Sequence, residues 1–291
     1  MAFPAWGTKT LVMGIINITD DSFSGDGLLT HANPVTRALQ QARDMKQSGA
    51  HIIDLGGESS RPGAEPISAA QEMDRLLPVI DALTQQSLDV VISVDTYKPA
   101  VAEAALNHGA HWINDIWGLK KNPDLARVVS AFKAPIILMH NRTRLNKIDT
   151  DPKLGGSYHE PAYQDFIAEL MRDLRESVHI ANRAGIPDSR IILDPGLGFG
   201  KSVRHNLEII NQLGALKTLG FPLLIGPSRK SFIGRVLQVE IDQRMEGTAA
   251  AVAVGIARGA DIIRVHDVAK MAPVAAMADA IVRENYFRAE E

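Results

Sequence analysis

Short runs of Val, Ile and Leu recur along the chain, each bounded by a polar or glycine-containing segment. They cover residues 11–16, 51–55, 90–94, 111–113, 136–139, 190–193, 222–225 and 261–265. Most are nearly continuous rather than alternating, the pattern of strands buried on both faces of a parallel sheet. Between them the apolar spacing turns helical. Residues 34–48 place Val35, Leu39, Ala42 and Met45 on one stripe and stop at Gly49, as a C-capped helix does. Ser68, followed by Gln71 and Glu72, opens a second helix that carries Met73, Leu76, Leu77 and Ile80. Segments 99–108, 124–132, 161–184, 205–219, 245–258 and 272–285 fill the other gaps. Helix-sized connections are what successive parallel strands require.

Eight strand–helix repeats predict an α/β fold, a single (β/α)8 TIM barrel over residues 1–291 with its active site at the C-terminal ends of the strands. A doubly wound sheet is the alternative with the same alternation. The stretch 142–160 reads as a long irregular loop, and it is expected to be mobile together with loops 19–28 and 56–66, which are rich in Gly and Ser.

Composition narrows the function. A formal charge of −3 argues against a nucleic-acid surface, and the absence of cysteine excludes disulfides, thiolate metal sites and a cysteine nucleophile. The longest apolar stretch, 248–257, falls far short of the ~20 residues a membrane span needs. The first residues lack a signal-peptide layout, so a cytoplasmic location with neither nucleic-acid nor membrane partners is expected.

The main functional signal lies in the residues just past each apolar run. Asn17 ends the first, Gly56–Gly63 succeed the second, Asp95 and Thr96 the third, and Asn114 and Asp115 the fourth. His140-Asn-Arg142 come after the fifth, Asp194-Pro-Gly-Leu-Gly-Phe-Gly-Lys201 after the sixth, Ser228-Arg-Lys-Ser231 after the seventh, and His266-Asp267 after the eighth, beside Arg264. In a parallel barrel all these ends share one rim. Any one of them suits an ordinary turn, but eight polar endings, several costly to desolvate, point to a site. Two motifs fail. Gly200-Lys-Ser202 lacks the earlier glycine of a P-loop, because position 195 is proline, and Gly196-x-Gly-x-Gly200 is not a dinucleotide fingerprint. Its glycines are expected instead to let backbone pass close to a flat ligand. His108 and His111 fall at the opposite end of the barrel and read as structural or solvated.

The rim chemistry has two halves. Asp95, Asn114 and Asp194, with Lys230 beside them, match a heterocycle carrying N–H donors and carbonyl acceptors, and Phe199 and Met139 could wall it. Ser60, Arg61, Arg229, Arg264 and His266 suit an anion with several oxygens.

These segments resemble the dihydropteroate synthases, folate-pathway enzymes built on a pterin-binding barrel. Residues 13–24 resemble that family's first loop and Gly56–Gly63 its second. Ser93-Val-Asp-Thr96, Ile113-Asn-Asp115, Asp194–Gly200, Ser228–Ser231 and Arg264–Asp267 resemble its pocket motifs, in order along the chain. The resemblance implies dissociative displacement at the pterin methylene, joining 6-hydroxymethyl-7,8-dihydropterin diphosphate to 4-aminobenzoate with release of pyrophosphate. It implies Asn17 as a ligand of Mg²⁺, and Asp95, Asn114, Asp194 and Lys230 as pterin-binding. Ser60 and Arg61 then belong to the second-substrate loop, Phe23 walls the aminobenzoate ring, and Arg264 and His266 hold the diphosphate. Met139, Phe199, Gly226 and Ser231 complete the substrate contacts, while Asn17, Asp95, Lys230, Arg264 and His266 form the catalytic set. A homodimer is implied in the same way.

The chain departs from the family pattern at Asp20, where proline is usual, at Gly25-Asp-Gly27, where Asp-Gly-Gly is usual, and at Ser60, where threonine is usual; Asp26 therefore receives no role. Two rivals share the carboxylate pocket. A methyltetrahydrofolate methyltransferase needs no diphosphate site, which Asn17, the Arg61 loop and Ser228–Ser231 argue for, and a non-catalytic pterin binder would not need Asn17, Lys230, Arg264 and His266 intact.

Overall fold

The computed structural model describes residues 6–20, 27–29, 33–60, 63–143, 148–151, 155–158 and 161–283. Its strands are β1 (Leu11–Asn17), β2 (Ile52–Gly56), β3 (Val91–Asp95), β4 (Trp112–Asp115), β5 (Ile136–Met139), β6 (Ile148–Asp151), β7 (Gly155–Tyr158), β8 (Ile191–Asp194), β9 (Leu224–Ile225) and β10 (Ile262–Val265). Eight of them pair in the order β8-β5-β4-β3-β2-β1-β10-β9, every pair parallel. The two edges then meet. Leu193 of β8 bridges Leu223, just ahead of β9, and the Leu193 N–H donates to the Pro222 carbonyl at 3.0 Å. The sheet is a barrel, not a doubly wound open sheet.

Alternation along each strand explains the unbroken apolar runs. Val12, Ile53, Ile92, Ile113, Ile191 and Ile263 turn outward into the shell of helices, while Met13, Ile52, Trp112, Ile137, Ile192, Leu224 and Ile262 pack together inside the barrel. Two residues further along several strands the inward positions change character, to Asp54, Ser93, Asn114, Asp194 and Arg264. The lower barrel is thus an apolar plug and the upper barrel is polar.

Local signals place most of the helices. Asn33 accepts from the Thr36 N–H at 3.1 Å ahead of helix Pro34–Gln47, and Gly49 follows it at φ +101°. Ser68 and Gln71 form a reciprocal capping box on helix Ala69–Gln85. Elsewhere the structure corrects the periodicity. Asp165 caps Ala168 at 3.2 Å, so the helix expected from 161 runs as Phe166–Arg183. The helix expected over 205–219 is two, Val203–Asn211 and Leu213–Lys217, because Gln212 leaves helical geometry at φ −104°, ψ 18°. Helix Val268–Val282 begins before 272, and Pro273 lies inside it. A short helix, Ser231–Leu237, occupies a stretch without clear periodicity, and the 142–160 segment holds the antiparallel pair β6–β7. No helix among the described residues is long and apolar enough to cross a membrane.

Strand β9 has two residues and depends on Asp261, which is buried at the start of β10. Its Oδ2 accepts from the Leu223 N–H at 2.8 Å and from Lys217 Nζ at 2.7 Å, and its own N–H donates to the Leu223 carbonyl at 2.8 Å. Leu223 is also the residue that closes the barrel. Asp261→Ala should therefore lower the unfolding free energy by about 1–3 kcal/mol. An unchanged denaturation midpoint would remove Asp261 from the closure.

Candidate active site

The polar layer inside the upper barrel centres on Arg264. Its Nε donates to Asp54 Oδ2 at 2.7 Å and its Nη2 to Asp95 Oδ2 at 3.1 Å, while Asn114 Nδ2 donates to the same Asp54 oxygen at 3.0 Å. Asp54 is fully buried. Burial works against the Arg264 charge, and the Asp54 and Asp95 carboxylates more than offset it, so its pKa lies above the ordinary arginine value. Asp95 moves up from the usual carboxylate range, chiefly through burial and further through the neighbouring Asp54 charge, with Arg264 opposing. Among the described residues Asn114 Oδ1 and Arg264 Nη1 have no hydrogen-bond partner, which leaves one acceptor and one donor available to a ligand.

Asp194 completes the ring from β8. Its Oδ1 accepts from the Gly196 N–H at 2.7 Å. Burial pushes its pKa up to about 6 against that bond and the charges of Lys230 and Lys201. Lys230 Nζ lies 4.3 Å from the centre of the Phe199 ring, and burial, aided by Arg264, lowers its pKa to about 8. Gly196, at φ +71°, has no room for a side chain, since a Cβ would lie 2.1 Å from the His140 carbonyl; one on Gly198 would lie 3.0 Å from Lys230 Cδ. Those glycines admit the protein's own chain, where the sequence suggested a flat ligand.

Lys201, the residue left over from the failed P-loop, points inward. Its Nζ donates to the carbonyls of His140, Gly196 and Phe199 at 3.2, 2.8 and 2.9 Å. Burial brings its pKa down to about 7. It ties the β8 loop to the end of β5, where Met139 is buried against Gly196. Arg142 anchors the next segment through Asp173 and Glu169 and lies over the Tyr163 ring at 4.9 Å. His140 Nε2 sits 3.3 Å from Asp173, and burial lowers its pKa to about 3, so it is neutral.

Asn17 ends β1 beside Gly56, and Gly226 follows β9 with its Cα facing the Arg264 side chain. Ser228 Oγ accepts from the His266 N–H at 3.2 Å and lies 3.0 Å from its Nδ1. Ser231 opens the helix Ser231–Leu237, and Ser60 is exposed beyond β2. Arg229 is not available to an anion as the sequence suggested, because Nε and Nη2 clasp Asp267 at 2.9 and 2.6 Å. Asp115 serves its own turn, accepting from the Trp117 and Leu119 N–H groups at 2.9 and 2.6 Å. Phe23 and Arg61 lie outside the described residues.

Strand ends thus bring Asn17, Asp95, Asn114, Met139, Asp194, Gly226, Lys230, Arg264 and His266 to one rim. Asp54 is the residue sequence reasoning passed over. Its signal is a carboxylate inside Ile52-Ile-Asp-Leu55, where both strand faces are otherwise apolar. At the opposite end, His51 and His111 line a cavity of about 690 Å³, but each turns Nδ1 onto a strand N–H, that of Val12 at 3.1 Å and that of Ile92 at 2.9 Å. Those rings are structural. Among the described residues no three His, Asp or Glu side chains converge to hold a metal.

Residues 13–266 match the family described as pterin binding enzymes. A dihydropteroate synthase of Bacillus subtilis is 48% identical over 277 residues, covering 95% of this chain and 90% of its own length. A dihydropteroate synthase from Clostridium difficile, crystallised in the presence of pteroic acid, superposes with a TM-score of 0.86 at 42% identity, covering 97% of this chain and 100% of that one. The Xanthomonas albilineans dihydropteroate synthase solved with 4-aminobenzoic acid gives 0.82 at 36% identity, covering 94% and 93%.

The raised Asp194 pKa carries a consequence for stability. The folded protein keeps the Asp194 proton up to about pH 6, whereas the unfolded chain releases it near the ordinary aspartate value of 3.8. More protons are bound in the folded state across that window, so stability falls as pH rises through it and is level above. Asp194→Asn should stabilise the ligand-free protein by about 1–3 kcal/mol at neutral pH. The advantage should vanish below about pH 4. A pH-independent difference in unfolding free energy would contradict the assignment.

Proposed function

The chain belongs to the pterin-binding enzyme family and catalyses the dihydropteroate synthase reaction of folate biosynthesis, a group transfer, and on that premise we propose how its rim residues divide the work. The observation that carries the proposal is the Asp54–Arg264–Asp95 network, with Asn114 and Asp194 beside it. It presents acceptors of raised pKa next to one lysine, in a pocket sealed from below. A pterin ring supplies N–H donors to Asp95 and Asp194, which favours their ionised forms. Asn114 gives Nδ2 to Asp54 and keeps Oδ1 for the ring, Lys230 donates to a ring acceptor, and Met139 and Phe199 wall the ring.

Arg264, through Nη1, and His266 are assigned to the diphosphate, at the strand ends where barrels commonly hold phosphate. As the methylene C–O bond breaks, positive charge grows on the pterin side and negative charge on pyrophosphate. Carboxylates at Asp95 and Asp194 stabilise the first, and Arg264 and His266 the second. The arylamine nitrogen of 4-aminobenzoate then forms the new C–N bond at the methylene, and the proton it sheds passes to water. Ser60 and Arg61 on the second loop and Phe23 on the first are assigned to 4-aminobenzoate, and Gly226 and Ser231 to the remaining substrate contacts.

Asn17 is the residue that would hold Mg²⁺. With no acidic cluster beside it among the described residues, a neutral amide oxygen fits an ion that would take its other ligands from diphosphate oxygens and water. Such an ion neutralises charge on the leaving pyrophosphate. A homodimer completes the proposal. Val254 is 46% exposed on helix Met245–Ala257, and Met277 and Ile281 are 63% and 66% exposed on Val268–Val282. Glu246, Lys270 and Asp279 are the only charged residues of these two helices, which are otherwise almost wholly apolar, as buried helices are.

Pyrophosphate release should require both the pterin diphosphate and 4-aminobenzoate, and omission of either should abolish it. Asp194→Asn should weaken pterin binding about tenfold or more. Release without 4-aminobenzoate, or wild-type affinity in the variant, would overturn these assignments. Sedimentation equilibrium should give twice the chain mass, and a monomer at micromolar concentration would dismiss the dimer.

A further inference from the structure

The loop that carries Ser60 and Arg61 is closed at its neck by one carboxylate. Glu58 follows β2, and Ile67 stands at the far end of the loop, next to the capping Ser68. Across the neck the Ile67 N–H donates to Glu58 Oε2 at 3.1 Å. Tyr97 Oη donates to Oε1 at 3.0 Å, and Lys98 Nζ donates to Oε2. Lys98 is held in turn by Glu72, a buried residue of helix Ala69–Gln85. The Glu58 and Lys98 side chains are only 16% and 14% exposed, so the pair is shielded from solvent and stronger than a surface ion pair.

The same helix makes a second grip. Arg75 Nη1 donates to the Gly57 carbonyl at 3.1 Å, and Nη2 donates to Asp20 Oδ2 at 2.7 Å. Gly57 is pressed against that helix, since a Cβ on it would lie 3.0 Å from both Glu72 Cγ and Leu76 Cγ. The first loop is rooted beside it, where the Leu28 and Leu29 N–H groups donate to the Asn17 and Thr19 carbonyls at 3.1 and 3.2 Å. Arg75 therefore joins the root of the segment bearing Phe23 to the root of the segment bearing Ser60 and Arg61.

We propose that Glu58 and Arg75 are positioning residues for the 4-aminobenzoate half of the site. Glu58 sets the conformation of the loop, and Arg75 sets its place against the first loop. This rests on the proposed assignment of those loops to 4-aminobenzoate. The pterin half stands on strand ends that neither residue holds, so the two halves of substrate binding should separate.

Steady-state kinetics and pterin calorimetry on Glu58→Ala, Glu58→Gln, Arg75→Met, Arg75→Lys and Arg61→Ala test it. Glu58→Ala leaves Lys98 paired with Glu72, and Arg75→Met leaves Asp20 74% exposed, so neither strands a buried charge. Each should raise KM for 4-aminobenzoate about tenfold, with pterin affinity within about twofold of the parent. Glu58→Gln and Arg75→Lys should recover much of the loss. If Arg61→Ala raises that KM but Glu58→Ala and Arg75→Met do not, the clasp is wrong and the loop assignment survives. If Arg61→Ala leaves that KM unchanged, the loop assignment fails and the clasp with it. Parallel losses of pterin affinity would mean a general structural role and would also overturn the proposal. Should Glu58→Ala not fold, Arg75→Met and the two conservative variants decide the matter.

Discussion

Arg264 enters the barrel from β10 and meets Asp54 of β2 and Asp95 of β3 at 2.7 and 3.1 Å. Below these groups lies the apolar plug of Met13, Ile52, Trp112, Ile137, Ile192, Leu224 and Ile262. A carboxylate removed from water without compensation costs several kcal/mol, so the acids of this layer persist because the guanidinium and the Asn114 amide answer them. The compensation is incomplete. Among the described residues Asp54 Oδ1 and Ser93 Oγ are buried without partners, and Asp95 and Asp194 both have raised pKa values. The ligand-free pocket therefore holds its acceptors in a state that N–H donors on a ligand would relieve, an instance of stability given up for function.

Around that layer the protein fixes its rim with buried polar bonds rather than with apolar packing. Lys201 gathers three carbonyls at the β5 and β8 ends, Asp115 caps the turn after β4, and Ser228 holds His266. Asp173 is disfavoured as an anion by burial, yet the close His140 ring and the bond from Arg142 keep its pKa below the ordinary range. These groups touch loops and one another. They explain why a rim so rich in charge is a scaffold as well as a site, and why only some of its charged residues remain to meet substrate.

Strand number, parallel order and the polar rim are legible in the sequence because each rests on local chemistry. A strand buried on both faces must be apolar throughout, a helix must show its 3.6 periodicity, and caps such as Ser68 and Gly49 mark where it begins and stops. The place of Asp95, Asn114 and Asp194 at the rim is legible for the same reason, since a polar side chain ending an apolar strand has a known direction. Tertiary structure alone decided the partners. Arg264 and Asp54 are 210 residues apart, and nothing local tells that a carboxylate inside an apolar run will meet that arginine. Pairing of β10 with β1, which in turn pairs with β2, brings them within reach. The same holds for Arg229, which pairs with Asp267, and for Lys201, which turns away from any phosphate. A side chain's type and strand position are properties of its neighbourhood in the chain, whereas its charge partner depends on which distant strand the fold places across the barrel.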